Sequence, residues 1–159
     1  MRFLKMIRVE WLLAAFCAWH AAGPLLQAWQ HSPFERFGWL ALIIWLIPAA
    51  RMVCCGADTS RDFKLAIISL VVSLTGMIGD LNVLVYCGLA GVIGAMANVS
   101  GRGWLWLVLA VCWIPAFSLL FSRLQFTPHM VQALRLLVAL LAAALGLCWL
   151  QPPPRKTPA

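Results

Sequence analysis

Residues 65–80, LAIISLVVSLTGMIGD, run directly into residues 81–101, LNVLVYCGLAGVIGAMANVSG, with Lys64 before them and Arg102 after. Between those two cations the one side chain carrying a formal charge near neutral pH is Asp80, placed near the centre. A bilayer's apolar core takes about 17 to 25 helical residues to cross. Two arms of roughly that length meeting at Gly79-Asp80-Leu81-Asn82 have the layout of a transmembrane hairpin.

The composition agrees. Of the 159 residues 64% are hydrophobic and 11% are charged, with a mean hydropathy of +0.91, whereas soluble domains carry about 25% charged residues. Cutting the apolar runs at their charges predicts an all-α, polytopic integral membrane helical bundle of about six transmembrane helices. Residues 1–150 form one transmembrane domain, followed by a proline-rich, basic cytoplasmic tail over 151–159. The net charge of +7 and the pI near 9.6 do not point to nucleic acid, because the basic residues sit at the ends of apolar segments instead of gathering on a water-facing surface. The expected surroundings are the lipid bilayer, with a membrane-protein partner or a second copy of the chain, and no nucleic acid.

The outer segments follow the same logic. MRFLKMIRVE precedes a run from Trp11 to Gln27 and resembles the charged and hydrophobic regions of a signal peptide. No A-x-A site follows it, so an uncleaved first span is expected, with Gly23-Pro24 kinking it or marking its approach to the interface. Phe37 to Ala50 makes a short second span that a snorkelling Arg51 extends toward Cys55. A fifth span over Trp104 to Phe121 contains Pro115, which predicts a kink, and a sixth runs from Met130 to Leu150. No inverted repeat stands out among these segments. Thr59 or Ser60 is available to cap the helix after the polar loop 55–62.

Charge sets the orientation. With both termini inside, Arg2, Lys5, Arg8, Arg51, Arg61, Lys64, Arg102, Arg155 and Lys156 face the cytoplasm, against Arg36, Arg123 and Arg135 outside. Lys and Arg are retained on the cytoplasmic side of short loops, so a bacterial inner membrane with N-in/C-in topology is expected. Trp11, Trp29, Trp39, Trp104 and Trp149 fall near span ends, as an interfacial aromatic belt requires.

This orientation gathers His31, Glu35, Arg36, Asp80, Asn82, Arg123, His129 and Arg135 toward the non-cytoplasmic face. His31, Arg36, Asp80, Asn82, Arg123, His129 and Arg135 form a candidate polar pocket, since ionisable groups at membrane depth are functional candidates by default. The competing reading of Asp80, and the favoured one, is a hairpin-tip residue that caps a helix and pairs with an arginine. His20, within the first span, is a candidate proton carrier, but no carboxylate deep in another span gives it a second station.

Of the six cysteines, Cys54 and Cys55 are adjacent and lack the CxxC spacing of redox or zinc sites. The others suit packing within apolar runs. No metal or cofactor motif is present, so no cofactor is expected. In the fourth span Cys87, Gly91 and Ala95 repeat every four residues, with Ala90 and Gly94 as a second pair. Small residues at that spacing admit a second helix closely.

The stretch Trp29 to Leu40, WQHSPFERFGWL, resembles the first external loop of the exosortase and archaeosortase family. Gly79-Asp80-Leu81-Asn82 with Leu84 is similar to that family's next hairpin, and Gly103 to Phe121 to the span before its catalytic half. The resemblance covers Trp11 to Phe121. It implies an integral membrane chain related to cysteine transpeptidases that process sorting signals. After Phe121 there is one further span and no Cys-Ser-Gly-like segment, so it implies a truncated, non-catalytic relative or accessory protein and carries over no catalytic residue.

Three functions are therefore in play. The first is a non-enzymatic inner-membrane protein acting by helix association, with its contact face at Gly91 and Ala95. The second is a small multi-pass transporter or permease using His20, Asp80 or Arg135. The third is a membrane enzyme with a non-cytoplasmic His31, His129 and arginine pocket.

Overall fold

The computed structural model describes residues 9–54, 63–97, 99 and 101–150. Arg2, Lys5, Arg8, the loop with Thr59, Ser60 and Arg61, and the tail with Arg155 and Lys156 lie outside these residues. The fold is all-α, and among the described residues it has seven α-helices. These are α1 (Val9–His31), α2 (Gly38–Cys54), α3 (Phe63–Ile78), α4 (Asn82–Met96), α5 (Gly103–Val108), α6 (Ala116–Arg123) and α7 (Pro128–Trp149), with a short 3-10 turn over Leu109–Cys112.

Each apolar run becomes helical, but six transmembrane helices are not shown. By length and apolarity α7 can cross a membrane, as can the bent pair of 103–112 with Ala116–Arg123 if counted as one span. Helices α2, α3 and α4 have 17, 16 and 15 residues. At about 1.5 Å per residue they extend less than the ~30 Å of a bilayer's hydrocarbon core.

The helix ends follow local chemistry. Thr127 is extended and Pro128 occupies the first turn of α7, where its missing N–H costs nothing. Helix α3 ends with Asp80 in the left-handed region at φ 54°. The Leu81 N–H returns to the Gly76 carbonyl at 2.8 Å, which closes the six-to-one bond of a Schellman-type end.

The α3/α4 hairpin packs most intimately, and it does so on small residues. A Cβ at Gly88 would lie 2.6 Å from Ser73 Cβ, and one at Gly91 would collide with Ser69 Oγ. Ala95 continues the contact against Leu65 and Ala66. The close face therefore follows Gly88, Gly91 and Ala95, while Cys87 is exposed and Gly94 meets Leu107 of α5. Because α3 covers this face, Gly91 and Ala95 are buried within the chain and are not open to a second molecule.

Helices α2 and α5 are locked by a reciprocal pair. The Trp45 indole N–H donates to the Trp106 carbonyl at 3.0 Å, and the Trp106 indole N–H donates to the Trp45 carbonyl at 3.1 Å. Their rings stack 4.5 Å apart at an angle of 2°. The two helices also begin alike, with Gly38-Trp39-Leu40 and Gly103-Trp104-Leu105, and each run carries an Ile-Pro-Ala: Ile47-Pro48-Ala49 and Ile114-Pro115-Ala116. Pro48 stays inside a continuous α2 and packs against Gly146 of α7, whereas at Pro115 the chain bends by 67°.

Polarity is turned outward-in. Ile43 and Ile47 on α2, Ile68 and Val71 on α3, and Leu137 and Leu140 on α7 are exposed, while Ser69, Ser73, Ser118, Glu35 and Arg135 are buried.

Candidate functional site

The site begins in the turn between α1 and α2. Helix α1 stops at His31, and Pro33 brings no N–H to continue a ladder. The turn is closed by Glu35 N–H to Ser32 O at 3.0 Å and Gly38 N–H to Glu35 O at 2.8 Å. With both its backbone groups fixed, Glu35 is held on the inner side of the turn and is buried.

Facing it is Arg135 on α7, which is fully buried. Its Nη1 lies 2.6 Å from Glu35 Oε2. One turn earlier on the same helix face, the Gln132 side-chain N–H donates to the Pro33 carbonyl. Two ties, one charged and one neutral, therefore fasten the α1–α2 turn to α7. The guanidinium also stands 5.7 Å from the centroid of the Phe117 ring on α6, a cation–π contact.

Gly38 shows how tightly the junction closes. A Cβ there would collide with the Trp29 indole and would lie 2.8 Å from Arg135 Nη1. Trp29, assigned to an aromatic belt by its position in sequence, thus has its indole nitrogen buried over Gly38 beside the ion pair. Beyond the ion pair, Glu35 Oε1 and Arg135 Nε and Nη2 are buried without a hydrogen-bond partner among the described residues. Burial pushes the Glu35 carboxyl above the ordinary carboxylate value, while its hydrogen bond and charge interaction with Arg135 pull it back down.

A cavity of about 190 Å³ opens beside this junction, lined by Ser32, Phe34, Glu35, Pro115, Ser118, Leu119 and Ser122. Ser118 donates its hydroxyl to Pro115 O at 2.9 Å, and Ser122 donates to Leu119 O at 3.0 Å. The break at Pro115 turns the start of α6 toward the α1–α2 turn, so that Ser118 and Ser122 line the same cavity as Ser32 and Glu35.

Of the seven residues expected to form a polar pocket, Arg135 is the one the fold buries. His31, Arg36, Asp80, Asn82, Arg123 and His129 are exposed. The His31 ring Nδ1 pairs with the Gln27 carbonyl at 3.0 Å, and Asp80 makes no ion pair among the described residues. His20 is exposed on α1 and meets the Phe16 ring edge-on, with centroids 4.8 Å apart. Glu35, grouped with the same face in the sequence, proves to be the partner of Arg135. Trp29, Gly38, Phe117, Gln132 and Ser118 escaped sequence reasoning. The legible signal was Gln132 and Arg135 three residues apart on an otherwise apolar helix, where they share a face. Among the described residues no cluster of three or more His, Cys, Asp or Glu side chains could hold a metal.

No protein-family model, curated protein or solved structure matches the chain.

Proposed function

We propose that the chain is a multi-pass protein of a bacterial inner membrane, both termini cytoplasmic, that handles a small solute at the Glu35–Arg135 junction in the manner of a small permease. The observation that carries this reading is the buried ion pair bordering a cavity, inside a bundle whose outward side chains are large and apolar. A charged pair out of water costs several kcal/mol per ion to desolvate, and ionisable groups at membrane depth are functional candidates by default. Ionisable groups turned inward, with leucine, isoleucine and valine outward, are the arrangement a bilayer favours.

Association through the small-residue face of α4 receives no such support, because α3 occupies that face. The resemblance to exosortase-type chains covers Trp29, Glu35 and Gly38 but carries over no catalytic residue, and the reading remains non-enzymatic.

The test has two stages. The full chain is expressed, its membranes are washed with alkaline carbonate, and terminal reporters establish which side each end occupies. The purified protein is then heated with a panel of small cations, carboxylates and neutral solutes. The expected result is carbonate resistance, cytoplasmic termini and a rise in unfolding midpoint with at least one solute class, absent from the Glu35→Leu/Arg135→Met double variant. Release by carbonate, or indifference to every solute, overturns the proposal.

A further inference from the structure

We infer that the apolar outer face of the bundle is covered by a thin bilayer of short-chain phospholipid, with anionic head groups at the end that carries Arg51, Lys64 and Arg102. The inference rests on the membrane reading proposed above and names the lipid. Its first support is height. Contacts along α7 fix the level of its neighbours: Arg135 meets Glu35 and lies beside Gly38, Gly146 lies against Pro48 and Trp106, and Leu150 lies against Gly103. Helix α2 therefore runs parallel to α7 and α5 antiparallel to it. The layer in which they lie side by side reaches from Arg135 to Leu150, about 22 Å of helical rise. The exposed apolar row of α7, from Met130 to Leu147, rises about 26 Å, and Arg135 does not interrupt it because Glu35 holds the guanidinium inside.

The hairpin has the same height. Lys64 and Asp80, both exposed, bracket α3, whose 16 residues rise about 24 Å. Between them Ile67, Ile68, Val71, Leu74 and Ile78 face outward, and the exposed Thr75 returns its hydroxyl to the Val71 carbonyl at 2.9 Å. On α2 the outward row is Trp39, Ile43 and Ile47, and the exposed Arg51 ends it. These heights fall short of the ~30 Å of an average hydrocarbon core. A bilayer meets a shorter apolar belt by thinning, which costs least where its own chains are short.

Charge selects the head group. Arg51 follows Pro48 by one helical turn, Arg102 precedes Gly103, and Lys64 precedes Leu65, which packs with Ala95 near the end of α4. All three cations therefore sit at one end of the bundle. They are exposed and make no ion pair among the described residues, whereas Glu35 and Asp80 lie at the other end. Such a cluster complements phospholipid phosphate and the further negative charge of an anionic head group.

The full chain is reconstituted into liposomes of dimyristoleoyl, dipalmitoleoyl, dioleoyl or dierucoyl phosphatidylcholine, each with and without phosphatidylglycerol of the same chains, and thermal unfolding is followed by tryptophan fluorescence. The midpoint is expected to be highest in dimyristoleoyl bilayers and to fall as the chains lengthen, reaching its lowest value in dierucoyl. Phosphatidylglycerol should raise it at each length. Arg51→Leu, which extends the apolar row of α2 toward Cys54, should move the optimum to the next longer chain, and Arg51→Lys should leave it in place. Arg51→Gln/Lys64→Gln/Arg102→Gln should lose the response to phosphatidylglycerol. A maximum in dioleoyl or dierucoyl bilayers, a midpoint indifferent to chain length, or an optimum that a folded Arg51→Leu does not move overturns the thin-bilayer assignment and leaves the solute-handling reading standing. If Arg51→Leu does not fold, the profile of the unaltered chain decides. A midpoint that phosphatidylglycerol does not raise overturns the head-group assignment. Release of the chain from all of these liposomes by alkaline carbonate removes both this inference and the membrane reading beneath it.

Discussion

The α3/α4 hairpin and the α1–α2/α7 junction are both places where helices come unusually close, and they achieve it by opposite means. In the hairpin the constraint is volume: Gly88 and Gly91 leave room for the serines of α3, and nothing charged takes part. At the junction the constraint is charge: Glu35 and Arg135 meet across 100 positions of sequence, and the room for them is made by Gly38. The hairpin holds the conspicuous acid, Asp80, but leaves it exposed at the tip, whereas the junction buries an acid from a short loop. Position relative to the apolar runs was a poor guide to burial. The difference came from which neighbours the fold supplied.

The contrast breaks most sharply at Arg135. Arg135→Met leaves the Glu35 carboxyl buried with no cation, and should cost about 3–5 kcal/mol of unfolding free energy, the usual result of removing one member of a buried pair. The loss depends on pH. Without the guanidinium, burial raises the Glu35 pKa further, so the folded state binds a proton more tightly than the unfolded state. Stability from such a group is present below the unfolded value of about 4.3 and is lost as pH rises through the folded value. Arg135→Met should therefore be mildest in acid and most damaging above neutrality, as denaturant titrations at several pH values would reveal. A pH-independent deficit would mean that the arginine acts by packing alone. Replacing both partners, as Glu35→Leu/Arg135→Met, should recover most of the loss, because apolar substitutes for a buried pair are often neutral or better.

The hairpin should respond in the opposite sense to added bulk. Gly88→Ala would place its Cβ 2.8 Å from the Ser69 carbonyl and 2.9 Å from Ser73 Cα, and a loss of about 1–3 kcal/mol is expected from overpacking. The backbone on the other side cannot move aside, so Ser73→Gly should relieve only part of it. A hairpin that accepted alanine at 88 without loss in thermal unfolding would show that α3 and α4 are looser than described.

Between these lies the tryptophan pair. Trp45→Phe keeps an aromatic ring but removes the donor to Trp106 O, and should cost about 1 kcal/mol, the net value of one hydrogen bond. Trp106→Phe should match it closely, since the two bonds are 3.0 and 3.1 Å. Unequal effects would place the weight of the contact on one helix.

The smallest effect is expected at Asp80. Its φ of 54° suits glycine better than an L side chain, so Asp80→Gly should leave stability unchanged or raise it by up to about 1 kcal/mol. A substantial loss in the same assay would reveal a contact that the exposed carboxylate does not make among the described residues.

The sequence by itself determined the helical segments and where they stop. Apolar runs divided by the polar stretches 32–36, 55–62 and 79–82 of the sequence mark the helices, and Pro115 marks the bend, because helix formation and its interruption depend on neighbours within a turn or two. Small residues on α4 announced close packing but not its register. Counting every fourth residue placed Cys87 on the face, whereas the face that meets Ser69 and Ser73 is Gly88, Gly91 and Ala95. Six segments long enough to cross a bilayer are not shown, since helix length is set where capping and turns fall and not by the apolar run alone.

Only the tertiary structure decided that Glu35, and not Asp80, meets Arg135, and that Trp29 and Gly38 enclose them. It likewise paired Trp45 with Trp106 and brought Ser118 and Ser122 to the same cavity. These choices depend on which helix faces pack together and on the 67° bend that aims α6. Packing of that kind is a property of the whole chain, because each buried polar group must find its partner among residues distant in sequence.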